Sequence, residues 1–533
     1  MTRTMRLLLF AVVAAAFFCK PGRATTYTAA SCSESDVQSA INSEKASPRD
    51  GDIISIPSGS CTWAATSGIN ATFTTSVTIQ GAGAVYATTG GVGTAGSDAT
   101  VIIDNITNNN GVVNITVADG KTLIFTGIAM MENASSVSEY NGMVAIYGGT
   151  TSQVRLHHCH FYLDKQTTDM RLGGAITGVV DHVYFETASG LLTTDIAVHN
   201  GNGWNGDSGG NSDGSWADTD HFGTNRFMFF EDDRFNNGDI GDAFEGARYV
   251  LRHNTVTGDG NSSLQMYTHG LTNQRLRATR AAEVYQNNFT APFPIGNPVY
   301  SFNSGALLFW GNTVSGFKGA VQISYTRASN GTYNYGTPPS GWGDCGTGSP
   351  SGATNWDGNL DSTGYPCMDQ AGRGAGDLLS GYFPTVCDQT TGCTTYTGTW
   401  PHQVLDPAYV WANTYTNAYA SYPLVIGSGV NADNRDYYQQ FGTLAESGSW
   451  DGTRGVNQSA SAPSGNCTAG TDPKTGATGP GVGWWDTSNN TLYVCNPTNT
   501  WTAYYTPYTY PHPLTAGTAT APAPPTNLHG TVR

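Results

Sequence analysis

The sequence predicts an all-β fold: a single-stranded, right-handed parallel β-helix (a solenoid) with an N-terminal cap, a long disulfide-bearing loop excursion and a small C-terminal β-hairpin region. Three observations carry that prediction. A six-residue phrase recurs along the chain: apolar, variable, variable, Asn-like, variable, apolar. It occurs at residues 156–161, 180–185, 230–235, 251–256, 284–289 and 309–314, with a looser copy at 125–130 and a distant one at 410–415. The last residues of the phrase advance 24, 50, 21, 33 and 25 positions between Phe161 and Val314. A turn of about 21–25 residues fits, with the 50 read as a double step and a loop inside the 33. The composition agrees: Gly is high at 67, charged residues are 12%, and Tyr plus Trp total 39. Such a chain suits many short strands and turns rather than long amphipathic helices.

The elements follow in order. Residues 1–24 read as a secretory signal peptide: Arg3 and Arg6 precede an apolar run over 7–18, and Ala24 sits at a small-residue cleavage point. The run is too short to span a membrane, and no other stretch qualifies. Residues 25–75 form the N-terminal cap and first rung, with a short helix over 35–42 covering the open end. The coil proper occupies 76–325. Residues 326–402 are a Gly/Pro-rich excursion that leaves the coil and rejoins it at Val410. Residues 403–514 hold the last rungs and a C-terminal β region around Trp484–Trp485 and the segment 491–495. Residues 515–533 are an Ala/Thr/Pro-rich disordered tail.

Within the phrase, positions one and six point into the core. Position four is Asn254, Asn287, Asn312 and Asn413 in four copies. Stacked Asn side chains inside a turn bond to neighbouring rungs and tolerate left-handed backbone. Cys159 falls in this column and reads as a buried free thiol. The other cysteines of the secreted chain are expected to pair, by proximity, as Cys32–Cys61, Cys345–Cys367, Cys387–Cys393 and Cys467–Cys495. Removal of the leader moves the formal charge from −16 to about −20. A chain this acidic is a poor nucleic-acid binder, and divalent cations are its more natural partners.

The segments 77–83, 246–254, 277–285 and 510–514, His269–Gly270 and the Asn phrases together resemble bacterial secreted β-helix repeat proteins of the pectin-lyase-like superfamily. The resemblance covers roughly residues 30–515. It implies the fold, and it allows polysaccharide lyases, glycoside hydrolases, esterases, tailspikes and adhesins alike.

Position two of the phrase points outward, giving the column His157, Asp181, Glu231, Arg252, Tyr285, Trp310 and Trp411. With rungs ~4.8 Å apart, the column has the length of an oligosaccharide; it reads as a saccharide groove, or as an ordinary solvated face. Glu231 and Asp232 are candidate general acids or bases for glycoside hydrolysis, although the flanking polygalacturonase phrases are absent. Arg275, Arg277 and Arg280 with Glu283, following His269, form a local basic patch suited to binding a sugar carboxylate or abstracting an α-proton; Arg280 and Glu283 are equally a surface ion pair. Asp207, Asp213, Asp218 and Asp220 offer oxygen ligands for a candidate calcium cofactor, in a spacing that matches no defined calcium loop. Trp204 and Trp216 in the same loop are candidates for stacking on sugar faces. The expected function is therefore a secreted, extracellular protein that acts on an acidic polysaccharide as a lyase or hydrolase. The alternative is a non-catalytic glycan-binding, adhesin-like or structural surface protein.

Overall fold

The computed structural model describes residues 23–64, 68–84, 98–106, 111–133, 142–164, 168–188, 196–206, 212–258, 266–268, 277–295, 298–323, 369–374, 403–416, 424–426, 431–442, 448–473 and 475–516. Twelve short strands stack into one sheet, here sheet 1: Thr26–Thr28, Asp52–Ser55, Val77–Gln80, Thr122–Thr126, Gln153–His157, Thr177–Asp181, Met228–Glu231, Arg248–Arg252, Ala281–Tyr285, Ala306–Trp310, Ala408–Trp411 and Tyr437–Gln439. Every neighbour in this sheet is parallel and later in the chain. Strand order that follows chain order, with two further sheets built from the strands in between, is a coil. Sheet 2 has ten strands, from Gly59–Trp63 to Thr414–Thr416. Sheet 3 has six, from Ile69–Phe73 to Asp242–Ala243, and a four-stranded sheet from Met266–Thr268 to Leu424–Ile426 follows it along the coil. The protein is a parallel β-helix.

The phrase explains the core. Its first position stacks as Phe125, Leu156, Val180, Phe230, Leu251, Val284, Phe309 and Val410 in register through sheet 1. Its sixth stacks in sheet 2, where the rings of Phe161, Phe185 and Phe235 lie 5.5 and 4.9 Å apart. All are buried, each contributing roughly 1.5–3 kcal/mol of apolar transfer. Position three takes left-handed backbone at His158, His182, Asp232, His253, Gln286 and Ala412 (φ 51–58°), which turns the chain from sheet 1 to sheet 2. Position four is the expected ladder. Asn254 N–H donates to Asn287 Oδ1 at 3.0 Å, Asn287 N–H to Asn312 Oδ1 at 3.0 Å and Asn312 N–H to Asn413 Oδ1 at 2.9 Å. Asp233 continues it toward Val183, and burial pushes its carboxyl well up. Cys159 is a buried free thiol, pushed up to about 12 by burial.

One step of the repeat differs from expectation. Val180 pairs directly with Phe230 across the 50-residue interval, so the interval is one rung with a long insertion and not two rungs. Val410 pairs with Phe309, so the coil does resume there. At the N-terminal end a helix, Glu34–Ala46, longer than expected, buries Val37, Ala40 and Ile41 against the first strands. Ser33 caps it by accepting from Asp36 N–H. Cys32–Cys61 and Cys467–Cys495 are disulfides, consistent with an oxidising compartment. The pairs Cys345–Cys367 and Cys387–Cys393, the leader over 1–22 and the tail beyond 516 lie outside the described residues. No helix among the described residues is long and apolar enough to cross a membrane.

The C-terminal region is a four-stranded sheet of Val456–Ser459, Gly483–Asp486, Thr491–Cys495 and Trp501–Tyr505. It packs Val456, Trp485, Leu492, Val494 and Tyr505 onto the outer face of sheet 1, in one apolar cluster with Phe229, Leu308, Trp310 and Trp411. The segment from Tyr505 to Thr515 then straps back along that face toward earlier rungs.

Candidate functional site

That packing corrects the expected saccharide groove. The column His157, Asp181, Glu231, Arg252, Tyr285, Trp310 and Trp411 does stack in register on the outer face of sheet 1. All seven residues are buried. The outer face of a sheet covered by a second β layer is a core, and most of its polar groups are paired, the Trp411 indole N–H excepted. Arg252 donates to Glu231 at 2.7 Å, to Tyr285 at 2.8 Å and to the strap carbonyls of Tyr508 and Thr509 at 2.8 and 2.9 Å. Glu231 also accepts the His512 N–H at 2.7 Å. Arg155 forks onto Asp181 at 2.8 and 2.9 Å; burial opposes charge there, but Arg155 and His182 bring the carboxyl down to about 2. His157 is held neutral by burial and by Arg155, which lower it to about 3. Tyr285, Trp310 and Trp411 stack on one another at 4.7 and 5.7 Å, as interior aromatics. Glu231 is therefore placed as a structural ion-pair partner, while Asp232 sits on the left-handed turn outside, accepting from Tyr510 Oη at 2.8 Å.

The loop candidates are committed too. Trp204 and Trp216 are buried, not presented to solvent. Arg226 and Arg248 lie over Trp204 at 4.2 and 4.7 Å, and Trp216 donates its indole N–H to Ala278 O. The acids of this loop point to separate partners. Asp213 pairs with Arg277, Asp218 accepts from Trp204, Asn205 and His221, and Asp220 accepts from Tyr504 Oη. Asp213, Asp218 and Asp220 do not converge on a common point. Asp207 lies outside the described residues, among which no group of three or more His, Cys, Asp or Glu could hold a metal ion. Arg277 is buried between Asp213 and Asp369, and Arg280 is buried against Asp406 at 2.6 Å, so neither is a surface cation. His269 and Arg275 lie outside the described residues.

The outer faces of sheets 2 and 3 carry exposed residues, and the trough on sheet 3 was not anticipated from the sequence. On the outer side of sheet 3, Asn70 stands beside Asn114, and Thr72 beside Thr116, which stands beside Tyr147. These side chains and Lys45 line a trough of about 290 Å³. The next rungs put Arg171 in the asparagine column and His199 in the threonine–tyrosine column. Gly173 separates Tyr147 from His199, and a Cβ at Gly173 would come within 2.6 Å of the Tyr147 ring. Glycine there lets the phenol lie along the coil, with the Arg171 guanidinium 5.9 Å from its ring centre. Glu245 anchors the far end, 3.9 Å from Arg171 Nη2 and 3.7 Å from His199 Nδ1. Asn70, Thr72 and Thr116 are exposed, Tyr147 is half-buried, and Arg171, His199 and Glu245 are buried. The arrangement is an open polar track ending on a phenol, a cation and an imidazole. The signal was present as alternation in the segment 113–117, but Arg171 and His199 fall where no copy of the phrase marks them.

The fold and this face define a parallel β-helix solenoid with one outer sheet face closed and another open. No family model and no curated protein matches the chain. Among solved structures, an alginate lyase from Paenibacillus sp. str. FPU-7 is similar at 15% identity and a TM-score of 0.33, over 56% of this chain and 99% of that one. A superposition that loose carries no functional argument.

Proposed function

We propose that the chain is a secreted β-helix protein of the pectin-lyase-like superfamily that acts on an acidic polysaccharide along the outer face of sheet 3. The observation that supports this is the in-register track from Asn70 and Thr72 to Tyr147 and Arg171. Four strands at ~4.8 Å spacing give it a length of roughly 14 Å, enough for a short run of sugar units. Hydroxyl and amide side chains suit sugar hydroxyls, and Lys45 and Arg171 offset the repulsion between a polyanion and a chain of formal charge −16. The end cluster favours elimination over hydrolysis. In β-elimination a base removes the proton α to the uronate carboxylate, the electron pair forms the C4–C5 double bond, and the C4–oxygen bond breaks as that oxygen takes a proton. Arg171 would steady the carboxylate, and Tyr147 and His199 are the groups able to move the proton. Calcium belongs to this proposal only as a supplement in solution.

The test is incubation of the leaderless protein with polygalacturonate, alginate and glucuronan, with and without calcium, following unsaturated uronate. Turnover that Tyr147→Phe lowers at least about 100-fold supports the reading, since general acid–base groups contribute about that much or more. Turnover indifferent to both Tyr147→Phe and Arg171→Ala overturns it. A second reading, glycan binding without turnover, is favoured by the burial of His199 at 1% exposure. Tight polyuronate retention with no product selects it.

A further inference from the structure

The geometry points to a second saccharide site, for a neutral sugar unit, where the left-handed turn ridge meets the C-terminal strap. It lies on a different face of the coil from the trough and does not depend on it. A cavity of about 300 Å³ opens there, lined among others by His253, Gln286, Asn489, Asn490, Tyr508 and Tyr510. That volume is at the small end of ligand pockets, about 300–1,000 Å³. Its rim is aromatic. Tyr510 is 45% exposed, one of two large hydrophobic residues so exposed among the described residues. Its ring is fixed in place: it stacks on His253 with centroids 3.7 Å apart, and its hydroxyl donates to Asp232 at 2.8 Å. A rigid, half-open phenol presents an apolar surface of the kind a pyranose ring covers.

The polar lining matches hydroxyls rather than carboxylates. The imidazole of His253 and the amides of Gln286 and Asn490 have no side-chain hydrogen-bond partner among the described residues. Each can donate and accept at once, as a sugar hydroxyl also does. Burial lowers His253, so its ring is neutral near pH 7. The charges behind the wall are already matched, Asp232 by Tyr510 and Arg252 by Glu231. Among the described residues, no Lys or Arg lines the cavity to hold a uronate. Left-handed backbone at His253, Gln286 and Asn490 projects all three from turns, so the lining comes from the coil on one side and the C-terminal sheet on the other.

The experiment is calorimetric titration of the whole leaderless protein with cellohexaose, xylohexaose and mannohexaose. The expected result is that at least one neutral hexaose binds, and that Tyr510→Ala and Gln286→Ala each weaken it about tenfold or more, a change of about 1.4 kcal/mol. Both side chains are exposed enough that their loss leaves the core intact. Thr116→Trp, which fills the trough on sheet 3, should leave this binding unchanged. Absence of binding by all three hexaoses, binding indifferent to both ridge variants, or binding abolished by Thr116→Trp would each overturn the assignment.

Discussion

Replacing Glu231 by alanine separates a structural role from a catalytic one. Glu231 and Arg252 are both fully buried, and Glu231 accepts from Arg252 and from the strap's His512 N–H. Its removal leaves the Arg252 guanidinium without a countercharge, still bonded to Tyr285 Oη and to the carbonyls of Tyr508 and Thr509. Neutral acceptors do not replace a buried carboxylate. Breaking a buried pair from one side costs about 3–5 kcal/mol, whereas removing both partners together costs much less. The loss should appear first in the strap, because the strap is tied to the coil through this pair. The assay is equilibrium urea unfolding alongside limited proteolysis of residues 505–516. Glu231→Ala should lose about 3–5 kcal/mol and release the strap to protease; Glu231→Ala with Arg252→Met should recover a large part of the loss. Unchanged stability in Glu231→Ala, together with lost polysaccharide turnover, would refute the argument and return Glu231 to the chemistry.

Three further outcomes are expected. Burial opposes charge on His160, but hydrogen bonds to Asp98 at 3.0 Å and Glu186 at 3.3 Å outweigh it and lift the imidazole to about 9. A raised folded value means that its stabilisation, on the order of 3 kcal/mol, is complete below about pH 6.5 and is lost as pH rises to about 9; a flat difference between wild type and His160→Gln across that window in urea unfolding would contradict it. Asn287→Ala orphans the buried Asn254 N–H and Leu251 carbonyl and should cost about 2–6 kcal/mol, measured in the same assay; a cost under about 0.5 kcal/mol would deny the ladder its role. Opening Cys467–Cys495, which closes 28 residues, should destabilise the C-terminal sheet by about 3–4 kcal/mol, read by proteolysis of that sheet with and without reductant.

The coil was legible because its signal is local and repeated. The inward positions of the phrase, the Asn column and the place of Cys159 follow from one periodicity. The placement of the outward column on one face followed as well, and its register from His157 to Trp411 is as expected. What covers that column was not legible there, because a phrase separates inside from outside the coil without saying whether a second layer packs outside. The aromatic run Tyr504, Tyr505, Tyr508 and Tyr510 was the available clue: so many rings in one short segment need a surface to bury against. The 50-residue step misled for a related reason, since a rung can absorb a long insertion without breaking its pairing. Arg171, His199 and Glu245 come from three separate rungs, and only the stacking of sheet 3 brings them together.

The most direct measurement is polyuronate retention and turnover by Thr116→Trp beside Tyr510→Ala. An indole at position 116 fills the open track on sheet 3 while leaving the covered face of sheet 1 untouched. The account predicts that Thr116→Trp loses polyuronate binding and any turnover, and that Tyr510→Ala keeps both. Wild-type behaviour from Thr116→Trp, or a wild-type protein that ignores every polyuronate offered, would contradict it.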